Sequence, residues 1–513
     1  MKKTSRTFKR FAAITSASLL AACMVAPMAS FAETEETTYT ITIDSTIGGH
    51  TYEAYQIFAG TLKEETNATT GAKTTVLSDI KWGSGINADG QTALLNGSDD
   101  AAALAKTLTD ANAKDFAKNA SKFLTNPAGS DDYDESKYEI SGLKPGYYLI
   151  KDADDSLDEE EGAAYTSYIL RVVSDVEVEP KSGTVTSDKK VIDTNESTGV
   201  TTDWQDSADY AIGDSIPFKL SAKIAADYDN YTKYQLVFHD KEENGLAFKA
   251  ESVKVYVNGN EITTGFSVVT EGLSDGCTFE VRFADLKEID AVTAGSVITV
   301  EYKSVLDTDA VIGSVGNANT SYVTYSNNPN DETGGETGKT VDDTVRIFTY
   351  KTIINKVNEN GEPLTGADFE LQKLIKSTEQ GVADTWETIE YVETTSGTIF
   401  TFNGLDDGTY KLTEIVTPGG YNTIKPITFD ITATHDVLND DPQLTELEAG
   451  DALSGKVDKT DGSITATIKN EKGSSLPSTG GIGTTVFYLG GGAMVAVAGI
   501  YLISKKRMKN TQE

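Results

Sequence analysis

The chain has 513 residues and a formal net charge of −35, with 79 acidic against 44 basic side chains. Such an excess repels nucleic acid and anionic membranes, so neither is expected as a partner, and it keeps an exterior soluble. The length allows about three domains at roughly 150 residues each.

Lys2, Lys3, Arg6, Lys9 and Arg10 form a basic start, Phe11 to Met28 is mostly apolar, and Ser30-Phe31-Ala32 offers small residues at cleavage positions. This predicts a secretory signal peptide over residues 1–32, with a retained signal-anchor as the alternative. Cys23 leaves with that peptide, so Cys277 is the one cysteine of the secreted chain and no internal disulfide can form. Disulfides are the common staple outside the cell, so the chain either tolerates their absence or uses another cross-link. Cys277 follows Ser274-Asp275-Gly276 with no His near it in sequence, which gives no reason to read it as a nucleophile.

Alternating Thr, Tyr and Ile at Thr38–Ile43 predict a strand, as does Tyr52–Phe58. The Ala-rich stretch 99–125, with Leu104, Leu108, Phe116 and Phe123 at helical spacing, predicts one or two amphipathic helices. Strand patterns return at Tyr138–Ile140, Gly146–Ile150 and Tyr168–Val173. The first domain, 33–181, is therefore expected to be mainly β with a helical insertion. Glu179-Pro180-Lys181-Ser182-Gly183 ends it, because Pro180 cannot donate to a ladder.

Short strands at Val253–Val257, Phe279–Phe283, Ser296–Tyr302 and Ser321–Tyr325 make 182–345 a predicted β-sandwich. Gly334-Gly335-Glu336-Thr337-Gly338-Lys339-Thr340 is not a P-loop, since Thr333 stands where the first glycine is required. The acidic run Asp152–Glu161 lacks EF-hand spacing. His50, His239 and His435 are scattered without metal-like spacing, and no cofactor or metal is expected. A third β domain is expected over 346–472.

The end of the chain reads Leu476-Pro477-Ser478-Thr479-Gly480, then an uncharged run over 481–503, then Lys505-Lys506-Arg507. The run is long enough to cross a bilayer as a helix, with the basic tail held in the cytoplasm. This order resembles the LPxTG cell-wall sorting signal of Gram-positive bacteria. The resemblance implies cleavage by a sortase between Thr479 and Gly480 and transfer of the Thr carbonyl to an amine. An ordinary C-terminal membrane anchor is the plainer reading of 473–513.

Tyr410-Lys411-Leu412-Thr413-Glu414-Ile415-Val416-Thr417-Pro418-Gly419-Gly420-Tyr421 resembles the E-box of Cna B-type repeats, departing at Ile415 and Thr417. Lys356-Val357-Asn358 with Gly361–Phe369 resembles the opening of those repeats, and Ile468-Lys469-Asn470 their last strand. With the two ends, the organisation resembles a sortase-assembled shaft pilin built from tandem immunoglobulin-like (Cna A- and B-type) sandwiches. The family's chemistry is an intramolecular Lys–Asn isopeptide bond. The residue types suit it: burial drives a lysine toward the neutral amine and a carboxyl toward the acid that polarises the amide. By resemblance Lys356 would bond Asn470, with Glu414 as the acid.

Asp188-Lys189-Lys190-Val191, Phe238-His239-Asp240 and Asn317-Ala318-Asn319 resemble the corresponding strands of A-type domains. They imply Lys189, Asp240 and Asn319 as a second set, with Lys190 and Asn317 as rivals. In the first domain, Gly146–Asp152 resembles the acid-bearing strand, but Asp152 stands in place of Glu and no cross-link is assigned there. Such bonds would join first to last strands, and closing a loop of about 100 residues adds roughly 5 kcal/mol by loop entropy.

Shaft pilins carry Tyr-Pro-Lys after the first domain, and the matching position here is Glu179-Pro180-Lys181, with Glu replacing Tyr. The resemblance implies that Lys181 accepts Thr479 of another copy, giving a head-to-tail polymer. Its implied partners are further copies, pilin-class and housekeeping sortases, peptidoglycan, accessory pilins and a host surface ligand. A wall-anchored monomeric adhesin needs no Lys181. A secreted enzyme lacks a catalytic constellation.

Overall fold

The computed structural model describes residues 38–43, 49–66, 73–109, 111–132, 137–157, 161–166, 168–172, 176–178, 183–379, 381–389, 392–395, 397–453 and 455–474. The expected signal peptide, Lys181, Leu476–Gly480 and the apolar run after them lie outside these residues. Among the described residues no helix is long and apolar enough to cross a membrane.

Near the N-terminus, strand Tyr39–Ile43 lies between Tyr138–Leu143, antiparallel to it, and Val176–Val178, parallel to it. A second sheet is centred on the long strand Thr51–Thr66, flanked by Lys73–Trp82 and Gly146–Asp152. The helical insertion is present as three short helices, Ala88–Ala93, Ala101–Ala105 and Ala113–Ser121. Two were expected at most. The first has no apolar periodicity to reveal it, and its ends are set by polar chemistry. The Asn87 side chain accepts from Gly90 N, and Asn96 and Gly97 follow with φ of 43° and 89°. Asp100 caps the second helix through Ala103 N. Leu104, Phe116, Ala117 and Ala120 pack from these helices onto Phe58 and Leu149 of the sheet.

Residues 185–347 supply one continuous core between two sheets. One sheet runs in the order Asn260–Ile262, Leu246–Val257, Val297–Leu306, Ser215–Lys223, Thr186–Val191. The other is built on Leu236–Glu242 and Asn317–Ser326, with Asp343–Phe348 and Phe279–Phe283 outside them. Alternation of buried residues with more exposed ones along Ser215–Lys223 and over residues 317–325 is what two facing sheets require.

A separate core spans Phe348 to Ile468. Its first strand, Tyr350–Val357, pairs antiparallel with Ile399–Leu405 and parallel with the last strand, Ser463–Lys469. The opposing sheet carries Asp368–Ile375, Gly408–Val416 and Ile427–His435. The chain is thus mainly β, with tandem sandwiches, as the periodicity and turn spacing predicted.

Candidate functional site

The parallel register sets Lys356 opposite Ile468, so Asn470 leaves the last strand beside Lys356. Lys356 is 1 % exposed and Asn470 is fully buried. Alternation along Gly408–Val416 turns Tyr410, Leu412 and Glu414 into the same core from the facing sheet. Asn470 Nδ2 donates to both Glu414 oxygens, at 2.9 and 3.1 Å. Lys356 Nζ lies 4.0 Å from Glu414 Oε1 and donates to the backbone oxygen of Ile468 at 3.2 Å. Burial pushes the Lys356 amine below its ordinary value. Asn470 Oδ1 is buried with no hydrogen-bond partner. Thr417 Oγ1 and Ile424 N hold Glu414 Oε2 from outside, each at 3.2 Å. The glutamate is therefore fixed between an amine and an amide whose carbonyl is open to a proton.

The second set is assembled differently. Lys189 lies on Thr186–Val191, whereas Asp240 and Asn319 lie on neighbouring strands of the opposite sheet. All three are fully buried. Lys189 Nζ donates to Asp240 Oδ2 at 2.5 Å and to Tyr302 OH at 3.0 Å. Tyr302 OH donates in turn to Asp240 Oδ2 at 2.7 Å and accepts from Asn319 Nδ2 at 2.9 Å. Burial raises the Asp240 carboxyl, against the pull of Lys189. Asn319 Oδ1 has no hydrogen-bond partner, matching Asn470 Oδ1.

The rivals sit elsewhere. Lys190 points the other way along the strand, where its Nζ pairs with Asp188 at 2.7 Å and Asp206 at 2.6 Å. Asn317 is spent on backbone: its amide bonds the carbonyls of Val311 and Ile347 and accepts from Val311 N.

Two members of this second site were missed from the sequence. Tyr302 is an inward position of the alternating strand Val297–Leu306. Glu242 lies two residues after Asp240, on the same strand face, and takes the Asn319 amide at 3.4 Å and the Ser304 hydroxyl. Burial, with the Asp240 charge adding to it, raises the Glu242 carboxyl to about 8. The i, i+2 spacing was the available signal.

In the N-terminal sheets Asp152 faces a histidine. His50 Nδ1 lies 2.6 Å from Asp152 Oδ1, and Thr166 N donates to Asp152 Oδ2 at 2.6 Å. Both carboxylate oxygens are thus engaged without a lysine.

Cys277 is not isolated from histidine, contrary to its sequence surroundings. Strand pairing brings His239 Nδ1 to 2.7 Å from Asp275, whose neighbour is Cys277. Yet burial and the Asp275 carboxylate push the thiol up to about 12, so no thiolate forms at neutral pH. We expect iodoacetamide at pH 8 to leave folded protein unlabelled over the time in which unfolded protein reacts fully, read by intact mass.

Taken together, the anchor-like C-terminal sequence, tandem sandwiches and buried Lys–acid–Asn sets point to a modular surface protein of a Gram-positive wall. Comparison with known proteins narrows this. A SpaA-type prealbumin-like fold domain matches residues 351–441, and an LPXTG cell wall anchor motif matches residues 468–510. The chain is 25% identical over 360 residues to the trypsin-resistant surface T6 protein of Streptococcus pyogenes serotype M6. That alignment covers 56% of this chain, and the chain spans 64% of the length of that relative. The fold is similar to that of the T6 backbone pilin of serotype M6 S. pyogenes, with TM-score 0.55 and 16% identity over 86% of this chain and 100% of that one. It is also similar to the full-length major pilin SpaD of Corynebacterium diphtheriae, with TM-score 0.51 and 15% identity over 85% of this chain and 98% of that one.

Proposed function

We propose that the protein is the structural subunit of a covalently polymerised surface pilus, built from three pilin domains over 33–181, 182–345 and 346–472 and anchored to the cell wall. The observation that carries this reading is Glu414 held between Lys356 and Asn470, at the point where first and last strands lie side by side. An amide between those side chains would let pulling force pass from end to end of the domain without loading its hydrogen-bond ladders.

The reaction balances without a cofactor. The Lys356 amine attacks Cγ of Asn470 while Glu414 gives a proton to the amide oxygen. The Nζ–Cγ bond forms, Cγ–Nδ2 breaks, and the nitrogen leaves as ammonia, carrying a proton that came from the amine, while the oxygen returns its proton to Glu414 as the carbonyl re-forms. In the middle domain Lys189 attacks Asn319. Asp240 takes the amine proton, and Tyr302 connects it to the amide. Both amide oxygens are unpartnered in the unreacted geometry, and because each amide nitrogen faces the acid or its tyrosine, the amide must turn to bring its oxygen to the acid's proton.

The two buried acids of the middle domain are separable by experiment. Glu242 is neutral at pH 7, so Glu242→Gln should keep the ammonia loss, whereas Asp240→Asn should block it. Intact mass of each purified variant reads the outcome, and bond formation in Asp240→Asn would sink the assignment of that acid. The same variant tests linkage. With a native value of about 8 against an ordinary 4.5, native protein holds a proton that unfolded protein has released. Stability attributable to Glu242 therefore falls as pH rises from about 4.5 to about 8. Glu242→Gln should flatten that slope in urea unfolding.

A second copy enters through Lys181. A pilin-class sortase would cleave the Thr479–Gly480 peptide bond, hold Thr479 as a thioester, and release it to the Lys181 amine of the next subunit. The housekeeping enzyme would pass the finished polymer to peptidoglycan.

A further inference from the structure

The two larger sandwiches meet along a joint that holds several acidic groups. Backbone bonds tie Asp206 N to Val437 O at 3.0 Å and Ile212 N to Gly404 O at 3.0 Å. Asp209 lies inside this joint, 2 % exposed, with Asp193, Asp406 and Asp407 as its charged neighbours. A cation does reach the cluster, but Lys373 Nζ is committed to Asp406 at 2.6 Å and Glu196 at 2.9 Å. Asp407 accepts from Asn195 Nδ2 at 2.7 Å. Asp209 Oδ2 and the Tyr350 hydroxyl are each buried with no hydrogen-bond partner. Asp193 Oδ1 is likewise unpartnered.

His435, from the C-terminal sheets, adds the deciding geometry. Its Nδ1 lies 2.6 Å from Ser207 Oγ. That hydroxyl has one proton and gives it to the backbone oxygen of Asp436, so it must accept from Nδ1–H. In neutral imidazole Nε2 then presents its lone pair, 3.6 Å from Asp193 Oδ2. One oxygen of Asp193, one oxygen of Asp209 and a ring nitrogen of His435 all lie within 4.8 Å of one another. Two carboxyl groups and an imidazole nitrogen thus converge on one buried point, and each acid keeps an oxygen there with no hydrogen-bond partner, which is the arrangement a cation would satisfy.

We propose that Asp193, Asp209 and His435 form a binding site for a first-row divalent cation that pins the middle sandwich to the C-terminal one. Imidazole with two carboxylate oxygens suits Zn²⁺ or Mn²⁺, whereas Ca²⁺ takes six to eight oxygens. The Ser207 bond to Nδ1 is the outer contact that fixes ring and tautomer in metal-ligating histidines. Sequence spacing gave no hint of it, because the ligands come from two sandwiches and are separated by 226 and more positions at the histidine.

The test is calorimetric titration of the chelator-stripped full chain with ZnCl₂, in a Cys277→Ala background that removes the thiol beside His239 and Asp275. One site should appear that Asp209→Asn and His435→Gln each weaken by roughly 100-fold. Co²⁺ added in place of Zn²⁺ should give visible absorption bands that His435→Gln abolishes. Without metal, Asp209→Asn should melt no lower than its parent, since it replaces a buried carboxyl whose Oδ2 has no hydrogen-bond partner. If that variant does not fold, Asp193→Asn takes its place in the same titration. Equal Zn²⁺ affinity in parent and variants would overturn the site. Ca²⁺ binding with the same variant sensitivity, and no Zn²⁺ binding, would overturn the choice of metal.

Discussion

Intact mass of the secreted chain should fall short of its sequence mass by two ammonia molecules, and Glu414→Ala should restore one of them. The reasoning is local to each domain. Lys356 has little alternative to reacting, because burial disfavours its charged form and its nearest acid is already bound to the target amide. Removing Glu414 removes the proton donor and leaves Lys356 buried among apolar groups without a counter-charge. Two losses of stability follow. The cross-link's loop entropy, roughly 5 kcal/mol for a loop of about 100 residues, disappears. The free amine, left buried, adds a further loss because it must stay neutral or move toward water. At about 3–5 °C per kcal/mol for a domain of this size, the C-terminal transition should drop by at least 15 °C. The middle domain should be unaffected, since its acid, amine and amide belong to another core. An unchanged parent mass would remove both cross-links at once, and with them the force-bearing role.

The sequence carried these sites unevenly, for physical reasons. Lys356, Glu414 and Asn470 sit in segments whose strand pattern and flanking residues are distinctive, and parallel pairing of first and last strands brings them together. Lys189 and Asn319 each had a rival one or two residues away. A one-residue step flips a strand side chain to the other face, and the sequence does not state which face is inward. The fold separates the pairs: Lys190 pairs with the exposed Asp188 and the buried Asp206, and Asn317 is consumed by backbone. Tyr302 was hidden because its role depends on which strands face across a core, and Glu242 was marked only by its i, i+2 spacing from Asp240. Asp152 was legible as an unusual acid position, but its partner His50 is 102 positions away. Helix Ala88–Ala93 was missed because capping, and not an apolar stripe, sets its bounds.

Lys181→Ala should abolish the high-molecular-weight ladder in wall extracts while leaving single subunits attached to the wall. Lys189 and Lys356 have no exposed side-chain surface and cannot enter another protein's active site. An acceptor for Thr479 of a second copy must instead be exposed at a junction that a sortase can approach, and the proposed domain bounds put Glu179-Pro180-Lys181 between the first two domains. Pro180 fixes φ before the lysine and removes a backbone donor, so that segment is poorly suited to joining a ladder that would bury it. Steric access, not amine reactivity, would then select one lysine from the many on the surface. A Lys181→Arg variant sharpens the test, because it keeps the charge but offers no nucleophilic amine at physiological pH. It should lose the ladder as completely as alanine does. A ladder that survives both substitutions would move the acceptor to another lysine. Loss of wall attachment together with the ladder would mean that the lysine acts in secretion or folding and not in joining subunits. Thr479→Ala, by contrast, should remove ladder and wall-bound monomer alike, since both outcomes draw on the same thioester.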